Sequence, residues 1–95
     1  MPMPRPSFLI TVNVEADHLD QRPLLLTTKN SRCLPRLQSL CEAFGFLPTY
    51  LVSYEMASCP QFVEFGRDVL RRNAGEIGAH LHGWTCPPFR TLTAD

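Results

Sequence analysis

The run EIGAHLHGW, Glu76 to Trp84, sets His80 and His82 one residue apart in an otherwise apolar stretch. Residues two apart on a strand face the same side, so both imidazoles can reach one ion. Imidazole suits zinc and its neighbours, and one carboxylate would complete a two-histidine, one-carboxylate site with open positions. The competing reading is a pair of core-edge histidines that bind nothing. Glu15 and Asp17, in NVEAD, are the candidate carboxylates, and by themselves each reads as a solvated charge at the start of a loop. Cys86 lies near the histidines and is either a soft ligand or a bystander. Trp84 either walls a pocket or packs under the Pro87-Pro88 turn, and Tyr54 and Glu55 are candidates by position alone.

These residues reach one place only if the chain folds to bring them there. SFLITVNV, residues 7–14, is apolar on both faces and rich in β-branched residues, as in a strand buried on both sides. A polar loop from Glu15 to Asn30 follows. Asn30 or Ser31 then caps a helix with Pro35 in its first turn, an apolar stripe of Leu34, Leu37, Leu40, Cys41 and Phe44, and a stop at Gly45. FLPTYLVSY, residues 46–54, is a second strand. Ser58 and Gln61 form a capping-box pattern for a second helix, with Pro60 in its first turn and a stripe of Phe62, Phe65, Val69 and Leu70. On its wet side Asp68 can pair with Arg72, and Asn73, Ala74 and Gly75 end it. EIGAHLH, residues 76–82, is the third strand, and GWTCPPF is turn chemistry. Strand, helix, strand, helix, strand implies a parallel α/β sheet with right-handed crossovers. Sites in such sheets gather at the carboxyl ends of the strands. Strand one ends in Asn13, Glu15 and Asp17, strand two in Ser53, Tyr54 and Glu55, and strand three in His80 and His82.

Ninety-five residues allow one domain, and 44% hydrophobic with 19% charged residues is an ordinary globular composition. Nine basic and nine acidic residues cancel, which gives no electrostatic reason to expect nucleic acid or an anionic membrane as partner. The four cysteines form no CxxC pair, and no apolar run suits a signal sequence or a span, so a cytoplasmic protein with free thiols is expected. GxGxxG, P-loop and GxSxG patterns are absent from the sequence, which leaves nucleotide and serine-hydrolase chemistry without support.

FLITVNVEAD, TYLVSYEMA and above all RRNAGEIGAHLHGWTCPP resemble the N-terminal half of a polysaccharide deacetylase-like protein of the NodB-homology family, carbohydrate esterase family 4. The resemblance implies a partial (β/α) barrel over residues 8–88, between an N-terminal arm (1–7) and a tail (89–95). It implies a divalent metal, zinc in the first instance, that activates water against an N-acetyl carbonyl of a saccharide. His80 matches the first metal histidine. The second normally stands about one helical turn on, where this chain has Trp84, and His82 is the nearest candidate. Glu15 falls at the metal carboxylate, a glutamate where aspartate is usual. Asn13 falls at the general base, where an amide cannot accept a proton, and Asp17 is the possible substitute. Trp84 and Tyr54 would then be substrate-side residues. The family barrel is roughly twice this long, so the resemblance predicts a truncated form, which a second chain would complete. Two other readings stand beside it: a non-catalytic α/β interaction module or gene remnant, and an amidohydrolase or PHP-type metal hydrolase. The latter usually places HxH at the end of its first strand, whereas here the pair follows the third.

Overall fold

In the computed structural model, residues 3–17 and 27–82 are described. They form three short strands, β1 (Thr11–Val14), β2 (Thr49–Val52) and β3 (Glu76–Ala79), and three helices, α1 (Leu34–Ala43), α2 (Tyr54–Ala57) and α3 (Pro60–Arg71). A 3-10 helix, Lys29–Cys33, leads directly into α1. The strands make one parallel sheet in the order β1-β2-β3, with Val14, Val52 and Ala79 sharing a row. The α/β order and the parallel pairing are those the sequence implies.

Two proline-started helices end in the same way. Pro35 and Pro60 occupy the first turns of α1 and α3, where a missing N–H removes no helical bond. After α1, Gly45 takes a left-handed φ of 73°, Gly45 N donates to the Glu42 carbonyl, and Phe46 N donates to the Cys41 carbonyl. After α3, Asn73 takes φ 56°, Asn73 N donates to the Leu70 carbonyl, and Ala74 N donates to the Val69 carbonyl. Both are Schellman closures, which satisfy carbonyls the helix leaves open and reverse the chain into the next strand.

The core lies on one face of the sheet. Val14, Tyr50 and Val52 pack with Leu34 from α1, Met56 from α2, and Cys59 and Phe62 from the start of α3, with Val12, Leu37, Phe65 and Ile77 against them. Tyr50 is fully buried, meets Phe65 edge-on at 5.3 Å, and donates its hydroxyl to Gln38 Oε1 at 2.7 Å. Burial pushes its phenol up to about 12, so it remains a donor at ordinary pH. Gln38 Nε2 in turn donates to the Ala74 carbonyl at 2.9 Å, tying α1 to the entry of β3.

Several sequence expectations change. The strands are shorter than 7–14, 46–54 and 76–82. Phe8 and Leu9 are exposed, as are Phe46 and Leu47, and Pro48 has no N–H to extend the ladder. The expected burial on both faces is not met: Thr11 and Asn13 are exposed, because the described helices cover only the opposite face. Tyr54 and Glu55 are not strand but the start of α2, whose Met56 drops into the core and turns the chain at Ser53. Ser58 closes α2, lying with its Oγ 3.2 Å from the Tyr54 carbonyl, and Cys59 occupies the N-cap of α3 without a side-chain bond to that helix's N–H groups. The capping box is therefore not formed. Gln61 Oε1 instead lies 3.1 Å from Ser31 Oγ. Leu40, Phe44 and Leu70 are exposed although they continue the helical stripes. The expected Asp68–Arg72 pair is present, and Arg72 also reaches Glu42 on α1.

Candidate metal centre

β1 and β3 flank β2, and the backbone ladder runs one row beyond the strands: Ser53 N donates to the Val14 carbonyl, and His80 N donates to the Val52 carbonyl, each at 2.9 Å. That row holds Glu15, Ser53 and His80 at the carboxyl edge of the sheet. Glu15 Oε1 lies 2.8 Å from His80 Nε2 and 3.1 Å from His82 Nε2. The two imidazoles stand edge to face with centroids 4.9 Å apart. All three side chains are partly buried, His82 the most at 19% exposed.

Glu15, His80 and His82 can hold a metal ion, since their ligand atoms lie within 4.8 Å of one another. Zinc–ligand bonds of about 2.0–2.1 Å separate tetrahedral ligand atoms by about 3.3 Å. The two Glu15–histidine distances are close to that spacing. Two imidazoles and one carboxylate are the donor set of catalytic rather than structural zinc sites, which leaves positions for water or a carbonyl oxygen. Zinc is not singled out, because other divalent transition metals accept the same ligands.

Among the described residues, the other acidic candidates are outside that group. Asn13 is exposed, two residues before Glu15, in the row of Leu51. Asp17 is not brought into the group. Its carboxylate takes the Thr27 hydroxyl and accepts the backbone N–H of Lys29 at 3.0 Å and of Asn30 at 3.1 Å. Asp17 thus caps the 3-10 helix from a distance and closes the loop at its base, where Asp17 N donates to the Thr27 carbonyl. The α1 cap that the sequence suggests for Asn30 or Ser31 is not formed, since both lie inside the 3-10 helix and Cys33 takes the N-cap position of α1 without a side-chain cap bond. Tyr54 is exposed at the start of α2, and Glu55 accepts the Ala16 N–H at 3.4 Å, holding the backbone just after Glu15. Cys33, Cys41 and Cys59 are free thiols. His18, Trp84 and Cys86 lie outside the described residues. Sequence reasoning gave Ser53 no chemical role, yet it is the middle residue of the ligand row. Only its place in the register distinguishes it. The chain matches no protein-family model, no curated protein and no solved structure.

Proposed function

We propose that this chain carries the metal-binding part of a polysaccharide deacetylase-like hydrolase, with Glu15, His80 and His82 as ligands and an N-acetylated saccharide as the substrate class. The observation that carries the reading is the convergence of one carboxylate and two imidazoles, from the outer strands of the sheet, at its carboxyl edge. Strand ends are where parallel α/β enzymes keep their chemistry. A sheet covered by helices on one face is a geometry that a (β/α) barrel wall shares with half of a doubly wound sheet; the family resemblance of GEIGAHLHGW favours the barrel. Further strands, or a second chain, would form the rest of its wall. The histidine pair follows the third strand, which weighs against the amidohydrolase and PHP-type reading.

A divalent ion, when bound, would supply Lewis acidity and an activated water. The chain's own part is to hold the ligands: β1 presents Glu15, β3 presents the histidines, and Glu55 steadies the backbone after Glu15. Asn13 occupies the position of the family's base. The wild-type chain is therefore a metal binder with little hydrolytic power of its own.

Elemental analysis of the purified, thiol-blocked protein tests the reading, with a His80→Ala/His82→Ala double variant alongside. About one equivalent of metal is expected in the wild type and none in the variant. Equal metal content in both would overturn the assignment.

A further inference from the structure

The middle of the ligand row holds a second feature. Ser53 is fully buried, and among the described residues its Oγ has no hydrogen-bond partner. It does not cap α2, although it occupies that helix's N-cap position. A buried hydroxyl without a partner opposes folding and calls for an explanation.

Its place in the sheet supplies one. Ser53 N is bonded to the carbonyl just before Glu15, and the carbonyl just before Ser53 is bonded to His80 N. Adjacent strands lie about 4.8 Å apart, so the Glu15 and His80 backbones are about 9.6 Å apart across β2. Their side chains nevertheless come within 2.8 Å of each other. They do so by leaning over position 53 from either side. Residues of one row in a parallel sheet share a face, which puts the Ser53 side chain under that contact.

We propose that Ser53 is a positioning residue of the metal centre, an inference that rests on the metal-binding reading above. Its hydroxyl donates to the Glu15 carboxylate once an ion draws Glu15 and the histidines onto itself, and its small side chain leaves the space across which Glu15 and His80 reach. Carboxylates that bind metals are themselves commonly held by hydrogen bonds, and loss of such a partner weakens the metal by about 10- to 100-fold.

The test is a Zn2+ titration of the thiol-blocked full chain against a chromophoric chelator, for wild type and Ser53→Ala, with the melting temperature of each metal-free protein. Affinity is expected to fall about 10- to 100-fold in Ser53→Ala, while the metal-free variant melts no lower than wild type, since it loses no hydrogen bond. Equal zinc affinity in the two proteins overturns the role of Ser53 and leaves the metal centre standing. A lower melting temperature in the metal-free variant also overturns it, by showing an ordinary structural bond. If the wild type itself takes up no zinc, the metal-binding reading fails and this inference fails with it.

Discussion

At the scale of single residues, the three acidic or amide groups of NVEAD have separate duties. Glu15 meets both imidazoles, Asp17 is occupied by the loop and the start of a helix, and Asn13 stands exposed two residues before Glu15. Asp17→Ala should therefore destabilise the fold by about 1 kcal/mol, the usual cost of a lost helix cap, and leave zinc affinity unchanged. Denaturant unfolding together with a zinc titration separates the two effects. A loss of metal binding in that variant would place Asp17 in the centre after all. On the proposed deacetylase reading, a carboxylate at position 13 should act on rate: amine release from an N-acetylated oligosaccharide is expected to rise about 100-fold or more in Asn13→Asp over wild type, as general bases contribute. An unchanged rate would remove position 13 from the chemistry.

At the scale of elements, a close backbone approach sets β3 against the entry of β2, and an exposed charge clip joins the end of α3 to α1. A Cβ on Gly75 would lie 2.7 Å from the Pro48 carbonyl oxygen, where Glu76 N already donates to that oxygen at 2.9 Å. Gly75→Ala should push β3 away from the entry to β2 and cost about 1–3 kcal/mol, the range for overpacking. Gly78 is milder, since its nearest neighbour is the flexible end of Leu51 at 3.0 Å. The clip joins Arg72 to Glu42 on α1 and to Asp68 on its own helix. Arg72 holds the Glu42 carboxyl below its usual value of 4.5, and Arg71 with Arg72 holds Asp68 below 3.8. Both pKa values are depressed in the folded state, so the clip stabilises above the unfolded values and loses its effect as pH falls through the folded ones. The difference in urea midpoint between wild type and Arg72→Ala should thus be largest near neutrality and shrink below about pH 4. A difference that persists to pH 2 would point to packing of the arginine stem instead.

At the scale of the whole molecule, the described sheet has three strands, with helices on one face and the Glu15, His80 and His82 group, which could hold a metal ion, bridging its outer strands. No helix among the described residues is long and apolar enough to cross a membrane. An ion held by Glu15 from β1 and by the histidines after β3 would clasp both flanks of β2. Metal that binds only the folded chain stabilises it by about 2.7 kcal/mol at a hundredfold excess over Kd. Zinc should therefore raise the melting temperature of the thiol-blocked protein and chelator should reverse the rise. A melting curve indifferent to zinc would count against the clasp.

Much of this arrangement was written in local pattern. Pro35 and Pro60, the stop at Gly45 and the period of the apolar residues mark α1 and α3, and the HxH spacing marks the histidines, because these signals depend on near neighbours in the chain. Ser58 and Gln61 show the limit: the capping pattern is there, but the burial of Met56 builds α2 first and uses Ser58 to close it. The family resemblance assigns Glu15 to the metal group, but only the tertiary structure brings that carboxylate to the histidines. Glu15 and Asp17 are both acidic and both follow β1, and nothing local separates them. The parallel register puts Glu15 in the row of His80 with Ser53 between them, while the fold of the loop delivers the N–H groups of Lys29 and Asn30 to Asp17. Those pairings join residues far apart in sequence, so they exist only once the strands are in register.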